Sequence, residues 1–368
     1  MRDVPLDRQP ILAGARITLR PLCAEDFDDL YALASDPLLW EQHPAKERAT
    51  EAGFRQWMAE ALASGGALTA VDEHGRVVGT SRYDEHEGEV EIGWTFVDRA
   101  RWGTGVNDEM KQLMLRHAFG SVDAVVFRVH CENFRSQRAV EKLGAVKVGT
   151  QVSTNGHGTN FVFRLVNAAS VDRALATYYD AEADDRASRA LQPRRVAARD
   201  GFIASLTSGA QVLEIGTGPG LDAGAFAAKG FAPVGIDLSP VAARHAQAAG
   251  ARALVASVRG LPLRDAAFDV VWSMSALMHV PASAIAGALG DVHRVLVPGG
   301  VAAIGVWGGS DVEDHVQNPR FNPPRLFSRR SDARWQAMLA TIGTVEHFER
   351  WDVENDPFWY QYALVRRR

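Results

Sequence analysis

Two stretches of this sequence place closely spaced glycines directly after an apolar run, where backbone N–H groups can approach a ligand. In Val212-Leu213-Glu214-Ile215-Gly216-Thr217-Gly218-Pro219-Gly220 the glycines recur as G-x-G-x-G, and an acid stands two residues before the first. That spacing departs from the G-x-G-x-x-G turn that cradles a dinucleotide pyrophosphate. Asp237 ends the next apolar run, Pro233–Ile236, where a carboxylate can accept hydrogen bonds from both hydroxyls of a ribose. Two carboxylates facing one ligand suit a molecule with a positive centre. His279, in Met278-His279-Val280-Pro281, has the residue type of a general base for a hydroxyl or ammonium group, with a structural histidine as the alternative. The second stretch is Ile92-Gly93-Trp94 followed by Arg101-Trp102-Gly103-Thr104-Gly105-Val106-Asn107, a loop that could hold phosphates at a helix start.

The elements that must position these residues follow from periodicity. In the first 167 residues the pattern predicts strands at Arg16–Leu19, Leu68–Val71, Val77–Tyr83, Val90–Phe96, Ala124–Cys131 and Gly158–Val166. Helices are expected near Glu25–Ser35, Thr50–Leu62, Asn107–Phe119 and Ser136–Leu143. From Ser170 the pattern becomes helix-rich through about Leu206, and regular strand–helix alternation begins at Gln211–Ile215. This switch predicts two domains, 1–167 and 168–368, in keeping with a length of 368 residues. The sequence is 46% hydrophobic and 23% charged, with 40 basic against 45 acidic residues, which excludes a disordered chain, a collagen or a coiled coil. Two cysteines, Cys23 and Cys131, supply neither a disulfide framework nor a zinc site, and no metal ligands are expected. No apolar run is long enough for a membrane helix, and the polar start predicts a cytoplasmic protein.

The second half resembles the class I S-adenosylmethionine-dependent methyltransferases from about Tyr178 to Arg368. The resemblance implies that Glu214, Gly216, Thr217, Gly218 and Gly220 hold the methionine end of S-adenosylmethionine. It also assigns Asp237 to the ribose, with Leu238 beside it, and Ser257 and Val258 to the adenine. Ser257 departs from the acid or Asn usual beside the adenine amine. Leu261–Trp272 looks like the family's central strand and its approach, Arg294–Gly300 like the turn into the fifth strand, and Val345–Trp351 with Phe358–Val365 like the closing antiparallel pair. Tyr178 and Tyr179 either cover the cofactor or pack.

The first half resembles the GNAT superfamily of N-acetyltransferases over about residues 10–166, particularly the branch that includes the ribosomal-protein N-terminal acetyltransferases. The residues that carry this are the Gly103–Val106 loop, Leu12-x-Gly14-x-Arg16, Leu19-Arg20-Pro21-Leu22, and Asn133-Phe134-Arg135-Ser136 running on to Leu143-Gly144-Ala145. It implies that Gly103, Thr104, Gly105 and Val106 hold the pyrophosphate of acetyl-CoA. Its pantetheine arm would run between the strands at 90–96 and 124–131, with Asn133 and Ser136 near the thioester and the arm. Asn133 is otherwise a turn residue and Ser136 a helix cap. The usual Gln or Arg three residues before the first loop glycine falls on Ala100, a departure. Glu91 is the candidate base for an ammonium acceptor, and otherwise one exposed acid in the run Asp84, Glu85, Glu87, Glu89, Glu91. Trp94 and Trp102 are read as packing residues.

The expected fold class is therefore α/β throughout: a GNAT-like mixed sheet with helices, then a Rossmann-like doubly wound sheet with antiparallel closing strands. The expected function is bifunctional, with acetylation of a small-molecule or peptide amine and methylation of a small, natural-product-like acceptor. The alternative is a methyltransferase joined to a non-catalytic GNAT-like substrate-binding module. A net charge of −5 without a long basic stripe argues against nucleic acid as partner.

Overall fold

The computed structural model describes residues 5–86, 88–153, 158–352 and 357–368. The chain divides into two compact units between Asn167 and Ala168. Among the described residues no helix is long and apolar enough to cross a membrane.

The first unit runs β1 (Leu12–Ala13), β2 (Ile17–Pro21), α1 (Phe27–Ala34), α2 (Glu51–Ala63), β3 (Ala67–Asp72), β4 (Val77–His86), β5 (Glu89–Val97), α3 (Val106–Ala118), β6 (Ala124–His130), α4 (Phe134–Lys142), β7 (Val146–Val152) and β8 (Thr159–Val166). Its eight strands lie in the order β1-β2-β3-β4-β5-β6-β8-β7. All neighbours are antiparallel except β5 and β6, which pair in parallel only at Val90 with Val125 and Glu91 with Val126. Beyond those two positions the strands part. The β4–β5 register shifts in the same region, opposite Trp94, whose φ is +49°. A bulge of this kind bends one strand away from its neighbour. Apolar residues of α3, including Val106, Met110 and Met114, pack on Ile17, Leu19, Leu68 and Ile92 and fix the helix start beside the opening.

The second unit opens with α5 (Ala168–Ala187) and α6 (Pro193–Ala204). It then alternates β9 (Val212–Ile215), α7 (Leu221–Ala228), β10 (Val234–Asp237), α8 (Pro240–Ala248), β11 (Arg252–Val255), β12 (Phe268–Met274), α9 (Ile285–Val295) and β13 (Leu296–Gly308). The chain closes with β14 (Val312–Asn318), β15 (Phe321–Arg329), α10 (Asp332–Leu339), β16 (Gly343–Asp352) and β17 (Trp359–Arg367). The sheet order is β11-β10-β9-β12-β13-β17-β16, parallel through β13 and antiparallel at β17 and β16. This is a doubly wound sheet whose order reverses between β9 and β12, and ligands of such sheets collect at the strand C-termini beside that point. Its inner parallel strands β9, β10 and β12 are buried on both faces and read as short apolar runs, whereas the edge strand β11 is largely exposed.

Besides the two-residue β1, a strand, a two-stranded hairpin and a helix escape the sequence reading. β7 (VKVGTQV) is a half-exposed edge strand whose polar alternation hides it. β14 is charged, β15 carries Pro323 and Pro324, and together they form a separate antiparallel hairpin. Prolines argue against a strand inside a sheet, though not in an edge hairpin. The third is α10, a short helix capped by the Ser331 hydroxyl.

Candidate functional site

In the second unit a cavity of about 580 Å³ lies at the C-terminal ends of β9, β10 and β12. Gly216, Thr217, Gly218, Asp237, Leu238, Ser257, Val258 and His279 all line it. Asp237 is buried, and its two oxygens are fixed separately: Oδ2 accepts from the Gly218 N–H at 2.8 Å and Oδ1 from the Ser239 N–H at 2.9 Å. Burial pushes its pKa up, and the N–H bonds oppose that. Each oxygen keeps a lone pair for a ligand hydroxyl. Gly218 has φ +52°, and a Cβ built there meets nothing within 4 Å, so the loop presents bare backbone to the cavity. The residues present therefore fit a nucleoside with a flexible cationic tail, as S-adenosylmethionine has.

Two of the expected ligand-holding residues stand behind the wall. Glu214 is buried beneath the loop, where its Oε2 accepts from the Thr217 hydroxyl at 2.8 Å. Burial, with the Asp222 carboxylate nearby, holds its pKa well above the carboxylate range. Strand alternation explains this, because Leu213 and Ile215 face one side of β9 and Glu214 the other. Gly220 also lies outside the cavity lining and starts α7 with φ +81°. A Cβ there would sit 2.6 Å from the Ala246 Cα, so this glycine serves helix packing. Ser257 lines the cavity with its hydroxyl accepting from the Arg259 N–H at 3.1 Å.

His279 is corrected from a free base to a fully bonded one. Its Nδ1 lies 2.6 Å from the Leu326 carbonyl and its Nε2 2.6 Å from the Tyr179 hydroxyl. A carbonyl only accepts, so Nδ1 carries the proton, and Nε2 accepts from Tyr179. Burial pushes the imidazole down to about 3, with the Arg325, Arg186 and Arg329 charges acting in the same direction. Tyr179 lines the cavity, whereas Tyr178 is fully buried and its hydroxyl accepts from Asn318 at 2.9 Å. The β14–β15 hairpin is thus part of the wall, contributing Arg325, Phe327 and Arg329. The sequence reading missed these residues because it missed the hairpin.

In the first unit the parting of β5 and β6 opens a cavity of about 930 Å³. Glu91, Gly103, Thr104, Gly105, Asn133 and Ser136 line it. Gly105 has φ +92° at the N-cap of α3, and a Cβ there would meet the Arg16 Nη1 at 2.4 Å. The first N–H groups of α3 have no carbonyl one turn earlier to bond and are free for an anion. The loop and the parted strands therefore fit the diphosphate and arm of acetyl-CoA. The Val106 side chain is buried in the core, which leaves its backbone for the role expected of the loop. Beside Ala100, Arg101 donates to Asp72 at 2.9 Å.

Asn133 is the N-cap of α4, its Oδ1 accepting from the Ser136 N–H at 3.1 Å, so the capping role falls to Asn133 and not to Ser136. Glu91 is no exposed acid: it is buried, and Arg128 donates to its Oε2 at 2.6 Å. Burial raises its pKa while Arg128 opposes the rise. Two more acids of the run are paired, Glu89 with Arg128 and Arg164 and Asp84 with Arg82, while Glu87 lies outside the described residues. Trp94 and Trp102 line the cavity under the guanidinium groups of Arg82 and Arg135, at 3.4 and 4.0 Å from the ring centroids. Sequence reasoning also missed Lys111. This lysine lines the cavity fully desolvated, and its Nζ donates to the Ser81 and Thr95 hydroxyls.

Comparison with known proteins finds a family match within each half. Residues 16–146 match the family model of the acetyltransferase (GNAT) domain, and residues 213–304 match that of a methyltransferase domain. An uncharacterized methyltransferase of Mycobacterium sp. (strain JLS) is 36% identical over 138 residues, which are 36% of this chain and 52% of that protein. The chain thus spans about half the length of the curated relatives it matches. Among solved structures, a Burkholderia thailandensis 1,6-didemethyltoxoflavin-N1-methyltransferase with bound S-adenosylhomocysteine aligns at 20% identity and TM-score 0.46, covering 61% of this chain and 94% of that one. A GNAT-family acetyltransferase from Bacillus anthracis aligns at 18% identity and TM-score 0.38, covering 43% of this chain and 98% of that one.

Proposed function

We propose, from the premise that the chain carries a GNAT acetyltransferase domain followed by a methyltransferase domain, that it is a bifunctional transferase that acetylates an amine and methylates a small acceptor. The observation that supports methyl transfer best is Asp237, buried at the end of β10 with both oxygens oriented by backbone N–H groups and facing a cavity. S-adenosylmethionine would supply an electrophilic methyl group on a sulfonium. The chain's own part is to hold the ribose on Asp237, lay the methionine end along Gly216–Gly218, and keep the transfer away from bulk water behind the hairpin wall. His279 does not act as a free base in this reading. Its Nε2 accepts a hydrogen bond from the Tyr179 hydroxyl and so holds that phenol in place.

Acetyl-CoA would supply an acyl thioester to an amine acceptor. The support in the first unit is the cavity where β5 leaves β6, next to the start of α3. A second reading, a GNAT-like module that binds a substrate or carrier without chemistry, is favoured by one observation: the candidate base Glu91 is occupied by Arg128. CoA release measured with primary amines, alcohols and acidic amino acids separates the two. The bifunctional reading expects turnover with amines, falling at least tenfold in Glu91→Gln. Bound acetyl-CoA without turnover on any acceptor would leave the binding module. The protein is proposed to work on small molecules or peptides in the cytoplasm.

A further inference from the structure

Five arginines line the cavity of the second unit, and their partners set one of them apart. Arg186 pairs with Glu182, Arg189 with Glu182 and Asp185, Arg195 with Asp222, and Arg329 with Asp314. Arg325 pairs with no carboxylate among the described residues. Its guanidinium carbon lies 4.4 and 5.2 Å from the ring centroids of Tyr178 and Phe327. Its Nη1 reaches only the Tyr179 hydroxyl, at a long 3.4 Å, and its buried Nε has no hydrogen-bond partner. Aromatic faces attract a cation weakly and neutralise none of its charge. A half-buried guanidinium with donors to spare is therefore waiting for an anion.

Two anions could meet that need, the carboxylate of the cofactor and one on the acceptor, and position decides between them. Arg195 stands by the glycine loop: it bonds Asp222 of α7, and its buried Nε is also unpartnered. That end suits the methionine carboxylate. Arg325 sits on β15 next to Tyr179 and His279, beyond the end of β12. One unneutralised cation balances a single negative charge, which fits a carboxylate better than a phosphate dianion. Trp307 and Phe327 give the same wall apolar area for the body of the molecule. Resting on the methyltransferase reading above, we propose that the methyl acceptor is a carboxylate-bearing small molecule with an apolar body, its carboxylate seated on Arg325.

The test is calorimetry on the full chain saturated with S-adenosylhomocysteine, using benzoate, phenylacetate and indole-3-acetate against their neutral amides. Carboxylates are expected to bind at least tenfold more tightly than the matching amides. Arg325→Gln should remove that preference and Arg325→Lys restore part of it, with S-adenosylhomocysteine affinity within about twofold of the wild type in both. Equal binding of acids and amides, no binding of any acid, or a preference surviving in Arg325→Gln overturns the proposal. A tenfold loss of S-adenosylhomocysteine affinity in Arg325→Gln also overturns it, since Arg325 would then hold the cofactor carboxylate. Failure of S-adenosylhomocysteine to bind the wild type sinks the methyltransferase reading itself, a result distinct from all of these.

Discussion

Asp237→Ala weakens S-adenosylhomocysteine binding by at least tenfold and, with the loop loosened, on the order of a hundredfold. Two effects add. The ribose loses a charged acceptor for two hydroxyls, each such bond contributing about 1.5–3 kcal/mol at most. The N–H groups of Gly218 and Ser239 also lose their partner, so the glycine loop loses the anchor that presents its backbone to the cavity. Calorimetry checks this, with circular dichroism to show that the variant is folded. CoA binding, which the proposed function gives to the other unit, should stay at the wild-type value. Unchanged S-adenosylhomocysteine affinity in a folded variant would remove Asp237 from the site.

Lys111→Met raises the stability of the first unit at neutral pH. Burial pushes the Lys111 ammonium down to about 7 from an ordinary 10.5, against the pull of Glu91. A lysine whose folded pKa is depressed binds its proton more weakly in the folded state. From pH 10.5 down to about 7 the unfolded chain holds that proton and the folded one does not, so wild-type stability falls as pH falls across this window and then levels off. The cost below pH 7 is on the order of 5 kcal/mol. Methionine fills similar volume without a charge. The Ser81 and Thr95 hydroxyls it leaves behind already bond each other at 2.7 Å. Urea unfolding of the first unit should therefore show the variant more stable below pH 7, with the difference vanishing near pH 10.5. A variant less stable than wild type at pH 7 would mean that the ammonium is held favourably.

These two residues also mark how far the sequence could be read. Asp237 was legible because parallel strands buried on both faces appear as apolar runs, and an acid ending one such run next to a glycine turn has few structural uses. Lys111 was not, since one lysine in an amphipathic helix reads as its solvent face, and only the packing of α3 on β4 and β5 turns it inward. The pairing of Tyr179 with His279 joins residues far apart in the chain and leaves no local pattern. That Glu214 lies beneath the loop was not legible, because spacing from the glycines cannot say which face of β9 it takes. The arginine wall stayed hidden with the β14–β15 hairpin, whose charges and prolines look like a loop.

The proposed function requires two cofactor sites on one chain, one in each unit. Native mass spectrometry of the full chain with S-adenosylhomocysteine and acetyl-CoA together tests it most directly. A species carrying one of each is expected, with either ligand binding as well in the presence of the other as alone. Displacement of one ligand by the other, or failure of either to bind, would contradict it.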